Sequence, residues 1–306
     1  MLSTITLWPL AAGATALAAG AVTLGRQWFS VPKQVSLVGF GRVFVAVPLA
    51  VFGTEHLVVA RFVMQSVPAW MPERLFWAYF VGFALIAAAI SLIVNRFTRL
   101  TATLLTVLFF LFVLLIHLPN LAASLNDRFR WAVALRDLAF GGGILVYAMC
   151  SVGDRRDAAW ASKLTSLGRL CVAIPLIFFG LENIMHPQFA PGVPLNKLTP
   201  AWALFPPTWA YAAGIIMLAA GAGLLLNRHS RFAVIAAGTL MTVLTLLLYA
   251  PILARAAGTS QIIEGLNYVA DTLLFSGTIL LVAPAFENCN RAIPPGRSVK
   301  ALVGEY

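Results

Sequence analysis

Long runs of uncharged, apolar residues set the strongest limit on the fold of this chain. Residues 100–126 contain no ionisable side chain apart from His117, and residues 232–254 contain none. About 20 apolar residues in a helix cross the ~30 Å hydrocarbon core of a bilayer. Hydrophobic residues make up 60% of the chain, charged residues 10%, and the mean hydropathy is +0.89. A soluble domain of this composition could not cover its apolar surface, so we expect an integral membrane protein.

The apolar runs predict helices, because an unpaired backbone is costly in lipid and the runs are far too long for barrel strands. We therefore expect an all-α integral membrane protein. The predicted helices lie near residues 4–24, 38–61, 75–94, 100–120, 131–151, 167–186, 205–226, 232–254 and 265–284.

An internal repeat organises eight of these helices. The segment LVGFGRVFVAVPLAVFGTEH, which begins at Leu37, resembles LGRLCVAIPLIFFGLEN, which begins at Leu167. Three offsets relate the copies. Gly41, Arg42, Pro48, Phe52, Gly53 and Glu55 match Gly168, Arg169, Pro175, Phe179, Gly180 and Glu182; Pro68, Trp70, Trp77, Tyr79, Gly82, Asn95, Arg96, Arg99 and Pro119 match Pro200, Trp202, Trp209, Tyr211, Gly214, Asn227, Arg228, Arg231 and Pro251; and Asp137 matches Asp271. One supersecondary unit is used twice.

We expect two tandem four-helix bundles preceded by one extra helix. The predicted units are an N-terminal helix at 1–30, a first bundle at 36–152, a polar cytoplasmic linker at 153–166, a second bundle at 167–285 and a cytoplasmic tail at 286–306. Because four helices return the chain to its starting side, the copies should form a parallel repeat. The first helix is either retained or a cleaved signal peptide; its missing basic region and long apolar part favour retention.

Basic residues predict the orientation. With the N-terminus outside, 14 of the 21 Lys and Arg residues fall on the cytoplasmic side and the other 7 on the outer side. This bias follows the positive-inside rule and predicts a cytoplasmic C-terminus in a bacterial-type inner membrane. The net charge of +10 is then a topology signal and not a nucleic-acid site, since no soluble basic face with stacking aromatics is expected.

Polar residues inside the apolar helices are the candidate functional groups. All of them are predicted in the outer half of the membrane, where each must face protein, water or an opposite charge. The first copy contributes Glu55, His56, His117, Arg136 and Asp137, and the second copy contributes Glu182, Asn183, His186, Tyr249 and Asp271. We expect each group to converge around a cavity in its own bundle, and we favour the first copy because it alone has two histidines and Arg136 beside the shared carboxylates.

Structural alternatives stay open for these residues. The shared carboxylates, Glu55 with Glu182 and Asp137 with Asp271, could fix helix register within a buried network. A haem held by His56 and His117, or a zinc ion held by Glu55, His56 and His117, has no supporting flanking sequence, so we expect no metal. Cys150, Cys171 and Cys289 form no CxxC, which argues against a disulfide framework or thiol redox centre.

Each copy resembles the DoxX-like four-helix membrane proteins. The resemblance lies in Gly-Arg at the start of the first helix, Phe-Gly followed by Glu55 or Glu182 near its end, a short basic turn after the second helix, and a carboxylate followed by small residues in the fourth; it covers about 38–151 and 167–284. It implies a compact four-helix bundle. Some members are membrane subunits of thiosulfate:quinone oxidoreductase or of oxidant-defence complexes, and distant relatives are cargo receptors or receptor-assembly chaperones.

Two functional hypotheses follow. The first is a quinone-linked redox subunit, in which His56, His117 or Tyr249 binds a quinone carbonyl and Glu55 or Asp137 moves a proton. The chain has no cofactor motif of its own, so electrons would come from a soluble or membrane oxidoreductase partner. The second is a non-catalytic binding, assembly or chaperone protein that holds a partner helix or membrane lipid. A solute or proton transporter is disfavoured by the parallel repeat.

Overall fold

The computed structural model describes residues 4–30, 37–151, 159–192, 197–203 and 205–286. Within these residues, nine helices are long and apolar enough to cross a membrane. They are α1 (Thr4–Ser30), α2 (Leu37–Val58), α3 (Arg74–Val94), α4 (Thr98–Ala123), α5 (Arg128–Cys150), α6 (Ala159–Met185), α7 (Pro206–Leu225), α8 (Ser230–Ala256) and α9 (Ile262–Leu280, extended by a 3₁₀ turn at Ala283–Phe286). The chain is thus an all-α, multi-pass membrane protein whose apolar helices are suited to contact lipid.

Backbone turns recur at the same offset in the two halves. Asn95 and Asn227 end α3 and α7 in the left-handed region, with φ of 55° and 54°. Phe97 and His229 precede α4 and α8 with φ of 56° and 52°. Asparagine tolerates this conformation better than most residues, so it suits the end of a helix. The same backbone conformations therefore occur at positions that are equivalent in the sequence repeat, and the arrangement of the repeat in space stays a prediction.

The helices of the two copies pack against each other as well as within each copy. Helix α2 packs against α3 of its own copy and against α9 of the other copy, and α6 packs against α7 and against α5 in the same way. Contacts between α5 and α9 join the copies further, and α1 lies against α2. The packing therefore interleaves the two predicted bundles. The parallel relation of the copies and the domain boundaries stay predictions.

Glycines allow the closest of these crossings. A Cβ atom on Gly53 of α2 would lie 2.8 Å from the carbonyl oxygen of Gly82 in α3, and one on Gly180 of α6 would lie 3.0 Å from the carbonyl oxygen of Gly214 in α7. Between the copies, a Cβ on Gly41 of α2 would lie 3.1 Å from the carbonyl oxygen of Gly277 in α9. Small residues at membrane-helix crossings let the backbones approach, and here they fix which helices are neighbours.

The predicted helices agree with the structure except at several ends. The largest difference is α6, which begins at Ala159 and not near 167, so the second half of the predicted linker is helical. Its first turns, AWASKL, include strong helix formers, and Ala161 is buried against the core. Residues 153–158 of the linker, Cys289 and residues 287–306 of the tail lie outside the described residues. Cys150 and Cys171 are free thiols.

Two ends of the helical bundle are distinguished below. The carboxylate end contains the last turns of α2, α4, α6 and α8 and the first turns of α3, α5, α7 and α9. The arginine end contains the opposite termini of the same helices, including the start of α2 at Leu37 and the end of α5 at Cys150.

Candidate functional site: an ionic cluster between the two copies

The centre of the site is an arginine held between two carboxylates. Arg136, in the third turn of α5, donates from Nη1 to Oδ2 of Asp271 in α9 at 2.6 Å. Its Nε also lies 3.4 Å from Oδ1 of the neighbouring Asp137. The side chains of Arg136 and Asp271 are only 23% and 14% exposed. Since α5 and α9 belong to different copies, the ion pair joins the two halves of the protein.

His117 extends this network from the third helix of the first copy. Its Nε2 lies 2.9 Å from Oδ2 of Asp137, and the two side chains are 15% and 10% exposed. His117 ends a π-helical turn, Val113–His117, within α4. The equivalent turn in α8, Thr245–Tyr249, ends at Tyr249. Such π turns are uncommon and often occur at functional sites, and here each one sets the position of the residue that differs between the copies.

Glu55 is the fifth ionisable member of the site. With the Asn267 amide oriented so that its nitrogen faces α2, that nitrogen donates to both carboxylate oxygens of Glu55 at 2.8 and 3.1 Å. This orientation satisfies both groups, as amide assignments require. Asn267 lies one helical turn before Asp271 on α9. We name Glu55, His117, Arg136, Asp137, Asn267 and Asp271 the ionic cluster.

The structure groups the ten predicted residues differently from the sequence analysis, which expected five residues to converge in each copy. Asp271, predicted with the second copy, belongs to the ionic cluster because α9 packs against α2 and α5 of the first copy. His56 makes no hydrogen bond to the ionic cluster among the described residues. Its Nδ1 donates to the carbonyl oxygen of Phe52 on its own helix at 2.8 Å, and its Cβ faces Gly82 of α3. The first-copy group is therefore completed by a second-copy residue.

The remaining second-copy residues form two other contacts. Glu182 accepts from Nε of Arg128 at 2.8 Å, and Nε2 of His186 lies 3.9 Å from the same carboxylate oxygen. Arg128 also lies over the ring of Phe189, 4.9 Å from its centroid. The sequence analysis missed Arg128; its place in the first turn of α5, at the same end of the bundle as Glu182, was the available signal.

Asn183 and Tyr249 hold a connecting segment in place. The Tyr249 hydroxyl donates to the carbonyl oxygen of Pro191 at 2.7 Å, and the Gly192 amide lies 3.4 Å from Oδ1 of Asn183. Tyr249 and Ala190 are fully buried, and Asn183 is almost so. The segment after α6 therefore enters the carboxylate end of the second copy. These two polar residues have a structural role that their first-copy counterparts, His117 and His56, do not share.

The ionic cluster can hold charge and relay protons through hydrogen bonds. Two aspartates flank one arginine, whose charge offsets part of theirs, and this lowers the cost of burying them in a membrane. Among the described residues, no three His, Cys, Asp or Glu side chains are placed to hold a metal ion, so the zinc alternative of Glu55, His56 and His117 is not formed there.

A separate groove of about 250 Å³ lies in the second copy. Its lining is mostly apolar and consists of Trp202, Ala203, Trp209, Leu247 and Leu248. None of the ten predicted site residues lines this groove. The predicted cavity around the carboxylates stays a prediction.

Comparison with known proteins gives one partial match. A family model described as a domain of unknown function, DUF8561, matches residues 45–136. The matched range runs from α2 to Arg136 in α5, and thus contains Glu55, His117 and Arg136 of the ionic cluster. No curated protein and no solved structure matches the chain.

Proposed function

We propose that this multi-pass membrane protein is the membrane subunit of a quinone-linked oxidoreductase, of the DoxX-like type, and that the ionic cluster binds the quinone headgroup. The observation that carries the proposal is the His117–Asp137 pair, 2.9 Å apart and partly accessible at the carboxylate end. A histidine hydrogen-bonded to a carboxylate is a common arrangement for proton transfer by a side chain.

The geometry supports a specific role for each ring nitrogen of His117. Nε2 lies 2.9 Å from Oδ2 of Asp137, while Nδ1 has no hydrogen-bond partner among the described residues. In the proposed reaction a quinone takes up two electrons from a partner oxidoreductase and two protons to become a quinol. The His117 imidazolium donates the proton on Nδ1 to one quinone oxygen, and solvent at the carboxylate end supplies the second proton to the other oxygen. Asp137 stabilises the imidazolium before transfer, and solvent then returns a proton to His117.

Arg136 and Asp271 position this pair without contacting His117. Arg136 lies beside Asp137 and is itself fixed by Asp271, so Asp137 keeps the orientation in which one oxygen faces His117. Such a supporting contact restricts the side-chain rotamers of the reacting groups.

The test is quinone binding by the purified full chain. Lipid extracts of the protein should contain quinone, and His117→Gln should weaken binding of a soluble ubiquinone analogue about tenfold, as expected for one lost hydrogen bond. Tyr249→Phe is the matched control, because it changes the equivalent position but its hydroxyl contacts Pro191. Equal affinity of the wild type and His117→Gln would exclude the proposed site.

A second candidate is a non-catalytic binding or assembly protein. It is favoured by the Arg136–Asp271 pair, which joins the two copies as a structural tie would. In that case His117→Gln should change neither the binding of the ubiquinone analogue nor the activity of the partner. Substitution of Arg136 should instead prevent the protein from accumulating in the membrane.

A further inference from the structure

The starting observation is a buried arginine without a partner at the arginine end. Arg42, in the second turn of α2, is only 8% exposed. Its Nε and Nη1 atoms are buried and have no hydrogen-bond partner among the described residues. Buried charged groups are nearly always paired, so two unsatisfied guanidinium nitrogens require an explanation.

The equivalent arginine of the second copy, Arg169, has a hydrogen-bond acceptor. Arg169 donates from Nη1 to the carbonyl oxygen of Leu224, in the last turn of α7, at 2.6 Å. Carbonyls in the last turn of a helix lack the regular amide donor four residues on, and a cation stabilises them. Arg42 makes no corresponding bond to α3, although the two residues are equivalent in the repeat.

No described acidic side chain is available to Arg42. The described acidic residues all belong to the carboxylate end or the half of the helices next to it: Glu55, Glu73, Asp127, Asp137, Glu182, Glu264 and Asp271. The ionisable neighbour that interacts electrostatically with Arg42 is Tyr147 of α5. Further basic residues lie near the same end: Arg26, Arg96, Arg99, Lys163, Arg169, Arg228 and Arg231.

We propose that Arg42 binds the phosphate of an anionic phospholipid headgroup at the arginine end of the bundle. An arginine guanidinium is a strong donor to phosphate oxygens, and the surrounding excess of basic residues favours a headgroup with net negative charge. Because α2 begins at Leu37, Arg42 lies less than two helical turns from that end of its helix, and we expect it near the polar region of the bilayer where lipid phosphates lie.

Thermal unfolding of the full chain in a neutral detergent tests the proposal. The unfolding midpoint should rise more with dioleoylphosphatidylglycerol than with dioleoylphosphatidylcholine at the same molar ratio. Arg42→Gln should remove this difference and weaken phosphatidylglycerol binding, measured by native mass spectrometry, about tenfold or more. Arg42→Lys should keep part of it, because the charge remains.

Arg169→Gln is the matched control. It removes the bond to Leu224 and lowers the basal midpoint, but the difference between the two lipids should be unchanged. A rise with inorganic phosphate alone that depends on Arg42 would identify a free phosphate as the source of the anion. If the wild type shows no preference for phosphatidylglycerol, or Arg42→Gln retains it, the proposal is wrong. If Arg42→Gln does not fold, Arg42→Lys decides the case, and a preference that Arg42→Lys leaves undiminished overturns the proposal.

Discussion

At the scale of single residues, the main feature is that Arg136 forms ion pairs with two aspartates from different copies. Asp137 also has His117, whereas Asp271 has Arg136 as its one ion-pair partner in the described chain. Removing one partner of a buried pair leaves the other charge desolvated, which costs about 3–5 kcal/mol. The asymmetry indicates that Asp271 depends more on Arg136 than Asp137 does.

This dependence can be measured with a double-mutant cycle. We expect Arg136→Gln and Asp271→Asn each to lower the free energy of unfolding by about 3 kcal/mol. The double variant should lose clearly less than the sum, with a coupling energy of about 1–3 kcal/mol. Reversible unfolding in detergent gives all four values. Asp127→Asn, whose pair with Arg130 is more exposed, is the control and should have little effect. Additive losses for Arg136 and Asp271 would show that the ion pair is not a stabilising tie.

The residues of the site could be predicted from the sequence better than their partners. Burial cost alone selected Glu55, His117 and Asp137, because an ionisable group within a membrane helix requires a polar neighbour. Pairing of Asp271 with Arg136 could not be predicted, since a repeat shows which positions are equivalent and not which copies pack together. Asn267 and Arg128 were missed because neither has a polar equivalent in the other copy.

At the scale of helices, the two copies share the same irregularities. The π turns at Val113–His117 and Thr245–Tyr249 precede Pro119 and Pro251, which lack the amide proton needed to continue a regular helix. The sequence indicated the proline positions and the apolar runs, and these were sufficient to predict the helices. It did not indicate the π turns themselves, because they depend on how α4 and α8 pack.

The glycine crossing between α2 and α3 provides a test of helix packing. A Cβ on Gly53 would meet backbone atoms of Gly82 and Ile86 at 2.8 and 3.1 Å, so the helices would have to move apart. We expect Gly53→Ala to lower the free energy of unfolding by about 1–3 kcal/mol. Gly25→Ala in α1 is the control: a Cβ there would meet nothing within 4 Å, and alanine favours the helix. Equal unfolding midpoints for the two variants would contradict the close crossing.

At the scale of the whole molecule, charge is distributed unevenly along the bundle. The ionic cluster and the Arg128–Glu182 pair lie at the carboxylate end, while the opposite end is rich in basic residues, such as those following α3 and α7. Interleaved packing of α2 with α9 and of α6 with α5 makes this one assembly with two distinct ends. A proton-handling site and a lipid-phosphate site would then lie on opposite sides of the membrane.

The orientation of these two ends is the remaining prediction. Because 14 of the 21 Lys and Arg residues fall on one side and 7 on the other, the positive-inside rule places the arginine end in the cytoplasm and the N-terminus outside. Green fluorescent protein fused after residue 160 or after residue 306 should therefore fluoresce, and alkaline phosphatase at the same positions should be inactive. A fusion after residue 125, between α4 and α5, is the control and should give the opposite pattern. Phosphatase activity at residue 160 would reverse the map and place the ionic cluster, with any quinone bound there, in the cytoplasmic half of the membrane.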